Sequence, residues 1–196
     1  MKICVYGASS ASLDHAFYEA ARETGRLMAQ KGHSVIFGGG AHGLMGAVAE
    51  GAREAGGEVI GIVPRFFDLP GVLYHDCSQL IYTETMRERK AMMDEMSDAF
   101  VALPGGLGTY EELFEIITAK QLGLHDRAVV LLNTAGYFDP LEALIAHTVD
   151  SHFAGPSCYT LYRAVPTPQT VLEALESYVP TKGSVAQKYD EVSKKR

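Results

Sequence analysis

The 196-residue sequence has no tryptophan, only three cysteines and no surplus of basic residues. Seventeen Lys and Arg against 24 Asp and Glu leave a formal charge of −7. No basic run is interleaved with aromatics, so a nucleic acid is not an expected partner. Cys4, Cys77 and Cys158 are odd in number and lack the paired spacing of a metal site. Cys4 lies in an apolar run, where a small thiol is ordinarily a core residue, and a reducing, cytoplasmic setting fits. The opening MKICVYG lacks the basic start and long apolar stretch of a secretory signal, and no apolar run approaches a membrane span. No membrane association is expected. The seven histidines are scattered, and His147 and His152 fall on different helical faces, so no metal site is assigned. The first glycine-bearing turn, GASSAS, is not GxGxxG, and no GxxxxGK[ST] occurs, which disfavours both common nucleotide-cofactor motifs.

What remains is ordinary globular composition, 47% hydrophobic and 21% charged. Strand-like runs at Lys2 to Tyr6, Ser34 to Phe37, Glu58 to Val63, Gln79 to Tyr82, Ala99 to Leu103, Ala128 to Leu132 and Leu161 to Val165 alternate with helical patterns. AFVAL and AVVLL are apolar on both faces, as in a parallel sheet covered by helices on each side. The fold class predicted is α/β, a doubly wound, mostly parallel, Rossmann-like sheet in a single domain over residues 1–180. The polar stretch 181–196 reads as a loose tail or a short exposed helix.

Ligands of such sheets bind beyond the carboxyl ends of the strands, and glycines cluster there: Gly38-Gly39-Gly40-Ala41-His42-Gly43-Leu44-Met45-Gly46 after the second strand, and Pro104-Gly105-Gly106-Leu107-Gly108-Thr109 after the fifth. Glycine admits close backbone approach, and a helix that starts next points free N–H groups at an anion. One such turn is often only a tight connection, but two in a short chain point to a nucleotide. His42 reads as an exposed loop residue.

In the helix around Met86 to Ser97, a turn of ~100° per residue places Arg89 within an apolar arc of Met86, Met93 and Met96, with Glu88 and Glu95 pointing away. Arg89 is either a snorkelling side chain or a fixed guanidinium aimed at an anion or a carboxylate. Thr109-Tyr110-Glu111-Glu112 reads as a capping box opening the next helix, with Glu112 returning to the Thr109 amide. Glu112 also lies at the shoulder of the glycine turn, where a carboxylate can do chemistry, whereas Glu115 is expected to face away.

The loop GGGAHGLMGAVA, the helix MRERKAMM and PGGLGTYEELFE followed by Thr118 together resemble the Lonely Guy family, historically mislabelled as lysine decarboxylases, over roughly Ile3 to Ala174. The resemblance implies hydrolysis of the N-glycosidic bond of a cytokinin riboside 5′-monophosphate to free base and ribose 5-phosphate. It also implies a homodimer and no cofactor. It makes Arg89 and Glu112 the catalytic pair and puts Lys90, Gly105, Gly106, Leu107, Gly108, Thr109, Tyr110, Glu111 and Thr118 in the nucleotide site, lined also by Gly39, Gly40, Gly43 and Gly46. Arg87 stands where the family usually has His, and Leu107 where an aromatic is frequent, differences that bear on the preferred base. Two alternatives stay open: a general nucleosidase of AMP or pyrimidine nucleotides, and a non-catalytic carrier of a nucleotide-like ligand. A decarboxylase would need a Schiff-base lysine, and Lys90 has no recognisable pyridoxal phosphate partner.

Overall fold

Alternating side chains in each strand feed two separate cores, one on either face of a single sheet. The computed structural model describes residues 1–193, so the last three residues of the expected tail lie outside the described residues. Seven strands, β1 (Lys2–Tyr6), β2 (Ser34–Phe37), β3 (Val59–Pro64), β4 (Gln79–Thr83), β5 (Ala99–Ala102), β6 (Ala128–Leu132) and β7 (Arg163–Val165), run in the order β4-β3-β2-β1-β5-β6-β7. Every pairing is parallel, with Val5 opposite Phe37 on one side and Val101 on the other. The doubly wound expectation holds, with small shifts at strand ends. Leu161, placed in the last strand by its apolarity, instead follows a short 3-10 turn at Pro156–Thr160 and is buried under the sheet.

Helices α1 (His15–Gln30), α2 (Gly43–Glu54) and α6 (Pro168–Glu176) cover the face formed by Ile3, Val5, Val35, Phe37 and Val101. Helices α3 (Met86–Glu95), α4 (Leu107–Gln121) and α5 (Asp139–Asp150) cover the opposite face, where Cys4, Tyr6, Ile36, Ile60 and Phe100 point. Two buried faces explain why β5 and β6 read as unbroken apolar runs. The polar tail forms a short helix, α7 (Val185–Ser193), with Glu191 accepting hydrogen bonds from the Ser157 amide and hydroxyl.

The strand order reverses between β1 and β5. Connections leave these neighbours in opposite directions, so their carboxyl ends open a crevice at the point where such sheets bind ligands. The crevice floor is held by the Ala8 amide donating to the Pro104 carbonyl and the Leu103 amide to that of Tyr6. No helix among the described residues is long and apolar enough to cross a membrane.

Candidate active site

Arg89 owes its position to the cap of α3. The Thr85 hydroxyl accepts from the Glu88 amide, and the Glu88 carboxylate accepts from the Glu84 amide, which fixes the first turn at the sheet edge. One turn in, Arg89 and then Met93 face the sheet and are buried. The Arg89 Nε donates to the Ile62 carbonyl at 3.1 Å, and Nη1 donates to Glu112 Oε1 at 2.9 Å. The two side chains are only 7% and 12% exposed, so the guanidinium does not snorkel but is fixed on a carboxylate.

The expected capping box does not form. Helix α4 begins at Leu107, two residues before Thr109, and its N-cap is Gly106, which offers no side chain. Thr109 is already helical and buried against Gly105, so it cannot adopt the extended conformation a capping residue needs. Glu112 is thereby released from the cap and turns to Arg89. Burial pushes the Glu112 carboxyl above the usual carboxylate range, and the Arg89 guanidinium pulls it back towards ionisation. Glu115 does not face away as expected: it joins Glu111 in holding the Lys90 ammonium, at 2.8 Å from Nζ. Lys90 is thus ion-paired across α3 and α4, one step along the helix from Arg89.

The two glycine-rich turns differ in what they present. At the first, the α2 amides of Leu44 and Met45 donate to the Ala8 carbonyl at 2.8 and 3.4 Å, and that of Gly46 to His42. A Cβ at Gly43 would stand 2.3 Å from the Ala8 oxygen, and one at Gly46 would stand 2.1 Å from the Ala41 oxygen. Gly39 has a φ of +75° and packs on Val63. The turn also pairs with the segment after β3, through Gly40 bridged to Leu73, the Ala41 amide donating to Val72 and the Tyr74 amide to Gly39. Gly43 and Gly46, with the exposed His42, line a small cleft of about 260 Å³ whose walls include neither Arg89 nor Glu112.

At the second turn Gly106 and Gly108 have open space where a Cβ would be, and Leu107 is 88% exposed. The first backbone bond of α4 runs from the Tyr110 amide to Gly106, which leaves the amides of Leu107, Gly108 and Thr109 ahead of it at an uncapped helix start. The Tyr137 hydroxyl donates to the Gly105 carbonyl and fixes the turn from behind. Tyr110 points inward, packs on Phe138 and donates to Tyr137, so its ring does not face the turn's open side.

Between α3 and α4 a groove of about 760 Å³ reaches down to Tyr6 and Glu112, with Thr118 and Lys90 on its walls. Met92 and Met96 pack into the core, which leaves Met86, Leu122 and Leu124 as the groove's outer apolar residues. At its floor, burial holds the Tyr6 hydroxyl above its ordinary range and pushes the nearby Cys4 thiol up to about 12. Both are neutral at ordinary pH, and beside them Glu112 brings a carboxyl to the base of the groove. Among the described residues no cluster of three metal-type side chains occurs. Sequence reasoning missed Tyr137 and Ile62, which touch the site from 32 and 27 residues away and carry no motif.

Residues 45–175 match the family model described as "Possible lysine decarboxylase". The chain is 38% identical over 195 residues to a cytokinin riboside 5′-monophosphate phosphoribohydrolase of Arabidopsis thaliana, covering 99% of this chain and 86% of that protein. It is 40% identical over 179 residues to a probable enzyme of the same name from Oryza sativa subsp. japonica, covering 91% and 79% of the two chains. Among solved structures, the molybdenum cofactor carrier protein of Chlamydomonas reinhardtii superposes with a TM-score of 0.68 at 25% identity, covering 89% of this chain and 95% of that one.

Proposed function

The chain belongs to the family of the cytokinin riboside 5′-monophosphate phosphoribohydrolases, and from that membership we propose that it hydrolyses the N-glycosidic bond of a nucleoside 5′-monophosphate of the cytokinin type, releasing free base and ribose 5-phosphate. The observation that carries the reading is the buried pairing of Arg89 with Glu112 beside an uncapped helix start. A phosphate needs N–H donors and a positive field, and the first turn of α4 offers both. With the phosphate held by the amides of Leu107, Gly108 and Thr109, the ribose lies over the next turn of the helix, where Glu112 stands.

Cleavage at C1′ passes through a state with oxocarbenium character. The Glu112 carboxylate stabilises that positive charge and takes a proton from the attacking water. The water oxygen bonds to C1′, the electron pair of the C–N bond leaves with the base, and the proton taken by Glu112 passes to the released base. The Arg89 charge favours the ionised form of Glu112 against its burial, and its hydrogen bond holds the carboxyl in one orientation. Binding energy from the phosphate aligns C1′ with the water, so a nucleoside lacking the phosphate is a poor substrate.

The exposed Met86 and Leu124, with the half-buried Leu122, at the groove mouth support a homodimer formed over α3 and α4, and the three free cysteines suit a cytosolic enzyme. The carrier reading draws on the shared fold of the molybdenum cofactor carrier, but mere carriage gives no reason to bury an ion pair at the base of the groove. Incubation with a panel of nucleoside 5′-monophosphates, followed by chromatography of the products, tests the proposal. Release of free base from a cytokinin-type monophosphate is expected. Tight binding without base release from any of them would favour the carrier.

A further inference from the structure

Of the glycines in the first turn, Gly38 alone borders the catalytic pair. A Cβ built there would stand 2.1 Å from Arg89 Nη2 and 3.2 Å from its Cζ, with Met45 Sδ next at 3.5 Å. Its neighbours meet something different. Gly39 is left-handed, and Gly43 and Gly46 abut backbone carbonyls, so their missing side chains serve the chain's own path. Gly38 is not among the glycines of positive φ, and the atom it would strike is the end of a side chain.

We propose that Gly38 is a positioning residue for the hydrolysis: the space left by its absent side chain is the seat of the Arg89 guanidinium, and filling it separates Arg89 from Glu112. The proposal rests on the hydrolytic reading of the site. The guanidinium is held on two other sides, by Nε on the Ile62 carbonyl and by Nη1 on Glu112, and it is buried. Moving Nη2 from 2.1 Å to an allowed separation requires a shift of roughly 1 Å, which takes hydrogen bonds of 2.9 and 3.1 Å to the edge of their range or beyond. Nε, bonded to Ile62, sits nearer the side-chain stem and moves less than Nη1, so the contact with Glu112 gives way. Glu112 then loses the charge that offsets its burial.

Three readouts of Gly38→Ala separate this from a general packing effect. First, kcat is expected to fall about 10²-fold, as for a misplacement of this size at a reacting centre, with KM little changed because the phosphate amides belong to another turn. Second, in an Arg89→Met background Gly38→Ala is expected to cost no further activity, since the residue it displaces is gone. Third, the Glu112 carboxyl, followed by carbon NMR, is expected to titrate at higher pH in Gly38→Ala than in the wild type, as it should in Arg89→Met. This last readout needs no turnover: should the wild-type protein release no base, it still tests whether Gly38 seats Arg89. An additive loss in the double variant, or an unmoved Glu112 titration, would overturn the proposal. If Gly38→Ala alone fails to fold, recovery of a cooperative melt when it is combined with Arg89→Met supports the overlap with Arg89. Failure of both contradicts it.

Discussion

The turn after β2 and the turn after β5 have similar sequences, each a run of glycines leading from a buried strand into a helix, yet the structure uses them for opposite purposes. In the first, the helix-start amides are spent on the Ala8 carbonyl and the glycines let backbone pack on backbone. In the second, Gly106 and Gly108 face open space and the helix begins without a cap. The difference teaches that glycine marks close approach without saying what approaches. In one turn it is the chain itself, and in the other there is room for a ligand. Arg89 joins the two, lying against Gly38 of the first and bonded to Glu112 behind the second.

The largest expected effect belongs to the open turn. Glu112→Gln keeps an oxygen that accepts from Arg89, so the protein should fold and bind AMP, while loss of the general base should reduce kcat by roughly 10²- to 10⁴-fold. Full activity in that variant would remove Glu112 from the mechanism. For the packed turn, Gly43→Ala should instead appear as lost stability. Its φ of +65° costs an L-residue about 1–2 kcal/mol, and overlap with the Ala8 and Ser10 oxygens adds about 1–3 kcal/mol by forcing the backbone apart. Denaturant titration measures it, and an unchanged midpoint would mean that the turn is not packed as described.

A pH profile sharpens the link between the two turns. Burial raises the Glu112 carboxyl and Arg89 lowers it, so removing Arg89 leaves only the weaker pull of Lys90 against the upward push. In the proposed mechanism activity needs the ionised form and is lost as pH falls through this pKa. The acid limb of kcat/KM should therefore move to higher pH in Arg89→Met, and an unmoved limb would assign it to another group. The smallest effect is expected at Gly108→Ala. This position lies within α4 with nothing near its Cβ, so alanine should stabilise the helix by about 0.5–1 kcal/mol while its methyl group crowds the phosphate and raises KM. Thermal melts and steady-state kinetics of that variant check both halves of the expectation.

Much of this was legible in the sequence. The five inner strands are visible because both of their faces are buried, and the α3 arc places Arg89 inward because 3.6-residue periodicity decides which side chains face the sheet. Other features were not. The TYEE pattern satisfies a capping box, but whether Thr109 caps or joins the helix depends on where Gly105 and Gly106 let the chain turn, and Tyr137, in the connection after the neighbouring strand β6, fixes that turn. Position on α4 alone points Glu115 outward, but Lys90 on the neighbouring helix draws it in. The unequal fates of the glycine turns were hidden because the Ala8 carbonyl and the Leu73 bridge that fill the first come from other strand ends.

The most direct test of this contrast is amide chemical-shift mapping of the 15N-labelled protein titrated with AMP. Saturable shifts are expected at Gly106, Leu107, Gly108 and Thr109, with Leu44, Met45 and Gly46 unmoved. Shifts centred on residues 44–46, with the start of α4 unaffected, would contradict the assignment of the phosphate to the open turn.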